Sequence, residues 1–216
     1  MTPGALPRAF RCIAFDFDGT LIDSNGVKAR AWFRIFPPSA HPHVASVLAS
    51  NRFGDRFEKV SQILTLIEGE AEAFEVERLA AAYNEICEEE QGTCREQEGA
   101  TAALAALAKR IPLYVNSATP EEPLVRVVNR RGWAGYFKGV MGRPASKLEN
   151  LERIAEWELA RPQEVLFVGD MSQDREAAEA FGCAFAGVRS AESDLDAGAV
   201  GMLTSLSQIE ALIEET

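Results

Sequence analysis

Hydrophobic and polar positions follow two rhythms along this chain. Cys12-Ile13-Ala14-Phe15 is an unbroken apolar run that stops at two carboxylates, Asp16 and Asp18. A short run of this kind predicts a strand over 11–16, buried on both faces of a parallel sheet. From residue 26 the spacing becomes helical. Residues 26–36 place Trp32, Phe33 and Phe36 on one side, and Pro37 and Pro38 end the helix. A short helix is expected over 43–50. Residues 55–67 carry Phe57, Val60, Ile63, Leu64 and Ile67 at helical intervals up to a break at Gly69. A long helix over about 71–91 carries Phe74, Leu79, Tyr83 and Ile86.

A second rhythm starts at Gly99. Helices over 99–110, 121–131, 146–159 and 173–181 alternate with strands over 113–115, 137–141, 165–168 and 184–188. A closing helix covers about 205–214. This alternation predicts an α/β fold, a Rossmann-like parallel sheet with helices on both faces. The first strand belongs to that sheet. Residues 1–24 and 93–216 then form the core, and 25–92 form an inserted α-helical domain. The ends of the insert must lie near the ligand-binding edge, where such a segment can act as a lid.

The bulk numbers narrow the class. The chain has 216 residues, 47% hydrophobic and 25% charged, which fits a soluble globular protein. No apolar run approaches the roughly 20 residues of a membrane span. The first ten residues carry no signal-peptide core, so a cytoplasmic location is expected. A net charge of −11 argues against nucleic acid as a partner. It does not exclude an anionic substrate, because local cations and a metal can reverse the field in one cleft. Cys12, Cys87, Cys94 and Cys183 lack zinc-site spacing. Cys12 and Cys183 read as buried small hydrophobes. Cys87 and Cys94 can be near each other without forming a disulfide in a reducing compartment.

Candidate chemistry gathers where the predicted strands end. Asp16 and Asp18 lie two apart and repel unless a cation or a shared proton relieves them. Mg²⁺ suits such hard oxygen ligands. Gly19 permits a sharp turn beside them. Taken alone, this segment fits an acidic turn equally well. Asn116-Ser117-Ala118-Thr119-Pro120 ends the second strand in hydroxyls. Ser117 can donate to a phosphate oxygen or cap the next helix, and capping is favoured for Thr119. Lys147 opens a helix, against the helix dipole unless an anion such as Asp16 lies near. By itself it reads as a solvated surface lysine. Val165-Leu166-Phe167-Val168-Gly169-Asp170 ends in an acid as the first strand does. Asp174 follows at a helix head, where capping is an equal reading.

The order of these groups resembles the haloacid dehalogenase-like hydrolase superfamily, in its phosphatase branch. Asp16-Phe17-Asp18-Gly19-Thr20-Leu21 is similar to the first motif of that family and Ser117 to the second. Lys147 is similar to the third, and Gly169-Asp170 with Asp174 to the fourth. The insert resembles its helical cap, and the whole is most similar to phosphoglycolate phosphatase-like and β-phosphoglucomutase-like members.

The resemblance implies a Mg²⁺-dependent reaction. Asp16 would be the nucleophile that forms an aspartyl-phosphate, and Asp18 the acid and then the base. The ion would be held by Asp16, the main-chain carbonyl of Asp18, Asp170 and Asp174. Ser117, Ala118 and Lys147 would bind the transferring phosphoryl group. An acid at position 18 favours a phosphate ester over a carbon–halogen or phosphonate substrate. Between two helices of the insert, Arg52, Gly54 and Arg56 are candidates for a second anionic group of the substrate, with solvated surface cations as the equal alternative. Lys28 and Arg34 are weaker candidates. The expected ligand is a small phosphorylated metabolite, such as phosphoglycolate or a sugar phosphate, taken by a monomer or homodimer. A phosphomutase, or a binding protein that has lost the reaction, are the alternatives.

Overall fold

The structure, a computed structural model, describes residues 10–51, 54–191, 193–195 and 201–214. Strand β1 (Cys12–Phe15) is followed by four helices, α1 (Asn25–Ile35), α2 (His41–Ser50), α3 (Arg56–Glu68) and α4 (Ala73–Gln91). Helix α5 (Ala100–Leu107) then leads into β2 (Leu113–Pro120), α6 (Glu121–Arg130) and β3 (Gly139–Arg143). The chain continues through α7 (Lys147–Glu158), β4 (Val165–Gly169), α8 (Ser172–Phe181) and β5 (Ala184–Val188). It closes with β6 (Met202–Leu203) and α9 (Ile209–Glu214).

The strands form one parallel sheet in the order β3-β2-β1-β4-β5-β6. β1 lies between β2 and β4, with Phe15 in register with Val115 and Val168. The sheet is covered on both faces, as the apolar runs require. Ile13 and Phe15 pack into a core with Leu104, Leu124 and Ile209, from α5, α6 and α9. Cys12 and Ala14 face the opposite core, with Leu151, Ile154 and Ala178 from α7 and α8. Successive residues of one strand thus feed two cores, the period-2 rule of a pleated chain.

Two compact units separate by their contacts. One runs up to Asn25 and resumes at Gly92; the other is Gly26–Gln91. The second unit has its own core of Trp32, Phe36, Val44, Val60, Ile63, Leu79 and Tyr83. Trp32 stacks on Tyr83 with ring centroids 4.2 Å apart.

The structure corrects several expectations. Phe57, Ile67 and Phe74 are exposed, because α3 buries only the narrower stripe of Val60, Ile63 and Leu64 and Phe74 sits in the first turn of α4. Helix α2 starts at His41, with Pro42 tolerated in its first turn. β2 extends to Pro120 through an irregularity in its pairing with β3 between Asn116 and Pro120. β6 was not expected, since two residues carry no readable period. The predicted 205–214 helix is a 3₁₀ turn, Leu206–Gln208, followed by the shorter α9. Cys12, Cys87, Cys94 and Cys183 form no disulfide with one another, and Cys183 is only partly buried. Among the described residues no helix is long and apolar enough to cross a membrane.

Candidate active site

The carboxyl ends of β1 and β4 and the heads of α7 and α8 bring four charged side chains together. All belong to the unit that carries the sheet. Asp16 follows β1, is 4% exposed, and donates its amide to the Val168 carbonyl at 2.8 Å. Phe17 turns into the core and meets the edge of Trp133. Gly19 has φ +85°, the left-handed region that suits glycine. Its turn is closed by Gly19 N–H to the Ile22 carbonyl and Leu21 N–H to the Phe17 carbonyl. The absence of a side chain also lets Asp170 approach. A Cβ at position 19 would lie 2.1 Å from Asp170 Oδ2.

Lys147 is the first residue of α7, whose N-cap Ser146 and Glu149 form a capping box. Its ammonium donates to Asp16 Oδ1 at 2.7 Å and to Asp174 Oδ1. The side chain is 15% exposed, so Lys147 is not a solvated surface lysine. Two carboxylates offset the unfavourable position at a helix N-terminus. Asp174 is fully buried in the first turn of α8 and accepts from the Met171 amide at 3.0 Å through Oδ2. It therefore caps the helix with one oxygen and meets the lysine with the other. Carboxylate oxygens of Asp16, Asp170 and Asp174 lie within 4.8 Å of one another.

Asp18 stands apart from that group. Its carboxylate accepts from Ser24 Oγ and, at 2.8 Å, from Thr119 Oγ1. The expected capping role of Thr119 is thereby corrected. The N-cap of α6 is Pro120, without a side-chain cap bond, and the Thr119 hydroxyl reaches back to the first loop instead. Ser117 is 1% exposed, and its Oγ accepts from the Thr119 amide at 3.1 Å. Lys147 and Ala118, the latter exposed, line a cavity of about 340 Å³ together with Arg143, Gln173 and Glu176.

The family model for haloacid dehalogenase-like hydrolases matches residues 10–182. The chain belongs to this family. No curated protein matches it significantly. Among solved structures, the chain is similar to a predicted phosphoglycolate phosphatase from Haemophilus somnus 129PT, with TM-score 0.75 and 21% identity over 96% of this chain and 99% of that one. It is similar to β-phosphoglucomutase from Clostridium difficile, with TM-score 0.71 and 19% identity over 95% and 96%. It is also similar to YfnB from Bacillus subtilis, solved bound to magnesium, with TM-score 0.70 and 16% identity over 95% and 99%.

The electrostatics of the cluster follow from its burial. Desolvation pushes the Asp16 carboxyl up to about 8. Lys147 opposes the shift, while Asp174, Asp170 and Asp18 add to it. Burial raises Asp170 to about 6, against hydroxyl donors that favour its charge. Burial works against the charge of Lys147, yet Asp16 and Asp174 hold its ammonium above the usual lysine range. Ionised together, three buried carboxylates would outnumber the one lysine. That donor set fits a hard divalent ion such as Mg²⁺.

Several supporting residues escaped the sequence reading. Thr20 Oγ1 donates to Asp170 Oδ1 at 3.0 Å, and Ser190 Oγ donates to Asp170 Oδ2 at 2.7 Å. Asn116 Nδ2 donates to the Lys147 carbonyl at 2.9 Å, and Asn150 Nδ2 to Asn116 Oδ1 at 3.0 Å. A polar Asn116 inside an apolar strand was the one available signal for the last pair.

The remaining candidates lie in the Gly26–Gln91 unit. Arg56 opens α3 and donates to Asn84 of α4. Gly54 lies close against the side chain of Asn51. Arg34 pairs with Glu90. Arg52 lies outside the described residues.

Proposed function

We propose that this protein is a Mg²⁺-dependent phosphatase for a small phosphorylated metabolite, of the phosphoglycolate or sugar phosphate class. The observation that carries the reading is the meeting of Asp16, Lys147, Asp170 and Asp174 at one sheet edge, with Asp18 held separately by hydroxyls. Similarity to the Haemophilus somnus protein and to a magnesium-bound relative supports it.

In this reading, Asp16 attacks phosphorus and forms an aspartyl-phosphate as the bond to the alkoxide breaks. Asp18 gives that alkoxide its proton. It then takes a proton from the water whose oxygen attacks the aspartyl-phosphate, which releases phosphate and frees Asp16. Lys147, Ser117 and the main chain at Ala118 hold the phosphoryl oxygens and stabilise their charge. Lys147 also favours the charged form of Asp16, against the burial that disfavours it. Mg²⁺, held by Asp16, Asp170, Asp174 and the Asp18 carbonyl, would supply the positive charge that lets a carboxylate approach a phosphate dianion. We assign the helical unit the role of a substrate-selecting cap, with Gly54, Arg56 and Arg52 as candidates for a second anionic group.

The test is phosphate release from a panel of phosphorylated metabolites with Mg²⁺. Turnover that is lost in Asp16→Asn supports the reading, and no release from any ester overturns it. Similarity to β-phosphoglucomutase favours a second reading, in which a substrate hydroxyl replaces water as acceptor. Isomerised sugar phosphate without free phosphate would select that one.

A further inference from the structure

The segment that follows β5 touches the Asp170–Ser172 turn at three points. Ser190 Oγ donates to Asp170 Oδ2 at 2.7 Å. Ser193 Oγ donates to the Asp170 main-chain carbonyl at 2.6 Å. Asp194 accepts from the Ser172 amide at 2.6 Å and from the Ser172 hydroxyl at 2.9 Å, which closes the head of α8. Leu195 is 8% exposed and anchors the far end.

This clasp acts on a side chain with little other freedom. Asp170 is fully buried and packed against the Gly19 turn. Thr20, also fully buried, occupies Oδ1 from the other side. With Ser190 on Oδ2, each carboxylate oxygen has one donor, and the rotation of the group is fixed. A carboxylate offers about four lone-pair positions, so two directions stay open. Asp16 and Asp174 lie on the cluster side of Asp170. Removing Ser190 would leave one buried oxygen without its donor and free the group to turn away from the cluster.

We propose that Ser190 is a positioning residue for divalent-ion binding, aiming Asp170 at the site it shares with Asp16 and Asp174. This rests on the reading of those three carboxylates as a Mg²⁺ site. Partners behind a metal-binding carboxylate commonly change affinity by about 10–100-fold when removed.

The experiment measures Mg²⁺ binding to the full chain by titration calorimetry, with Asp170→Asn as the control. Ser190→Ala is expected to weaken Mg²⁺ binding by about 10-fold or more. Ser190→Thr, which restores the hydroxyl, should bind as the wild type does. At saturating Mg²⁺, kcat of Ser190→Ala should return to near the wild-type value, a split that general loosening would not give. Should Ser190→Ala fail to fold, Ser190→Cys keeps the shape, weakens the donor and carries the same expectation. Unchanged Mg²⁺ affinity in a folded Ser190 variant overturns this inference while the wild type still binds and Asp170→Asn does not. A wild type that binds no Mg²⁺ overturns the metal-site reading and this inference with it.

Discussion

Lys147 Nζ lies 2.7 Å from Asp16 Oδ1, joining residues 131 positions apart in the chain. The lysine is not a solvated surface charge, and Asp174 shares the same ammonium. In the proposed reading, replacing it with alanine removes a phosphate ligand and the cation nearest the nucleophile. We expect Lys147→Ala to lower kcat by about 10²–10³-fold, as loss of a preorganised charge donor does. Lys147→Arg should recover little, since a planar fork cannot reproduce a compact ammonium between two carboxylates. Steady-state kinetics with a phosphate ester check both outcomes.

The two hydroxyls on Asp18 give a separate expectation. Ser24 and Thr119 hold both of its oxygens, so its aim depends on them. Thr119→Val should lower kcat by about 10-fold, the size of one lost hydrogen bond to a charged group. Asp18→Asn should lower it by about 10²–10⁴-fold. For p-nitrophenyl phosphate, whose leaving group needs less protonation, both losses should be smaller. Equal losses on alkyl and aryl esters would contradict the acid role.

Stability and metal should be linked through pH. In the metal-free protein the Asp16 carboxyl is raised to about 8 and that of Asp170 to about 6, from an unfolded value of 3.8. The folded chain therefore holds protons that the unfolded chain has released. Stability must fall as pH rises from about 4 to about 8. A divalent ion at the proposed site would replace those protons, so its stabilising effect should be larger at pH 8 than at pH 5.5. Thermal unfolding with EDTA or with Mg²⁺ at the two values checks the sign.

Gly19 offers a backbone test. Its φ of +85° and the 2.1 Å separation between an added Cβ and Asp170 Oδ2 leave no room for alanine. Gly19→Ala should cost about 1–3 kcal/mol from the backbone alone, before Asp170 is displaced. Gly132 also has positive φ, +71°, but nothing lies near an added Cβ, so Gly132→Ala should lose less. Tm measurements of the two variants compare strain alone with strain plus collision.

The α/β alternation and the apolar runs of β1 and β4 were legible because each is a local pattern. A strand buried on both faces must be continuously apolar, and a polar residue there must end it. The same logic placed Asp16 and Asp170 at strand ends, and order along the chain linked them to Ser117 and Lys147. Thr119 was misread because its backbone position suits a cap, while its true partner, Asp18, is 101 residues away. Ser190 gave no local sign at all, since its bond to Asp170 exists only through the packing of β5 beside β4.

The sequence by itself determined which residues end strands and which chemistry they carry, because hydrophobic period and side-chain type are properties of neighbours along the chain. Only the tertiary structure decided that Lys147 bridges two acids and that hydroxyls aim Asp18 and Asp170. Those bonds act over a few ångströms between residues far apart in sequence. They come into being only when the sheet order has been set.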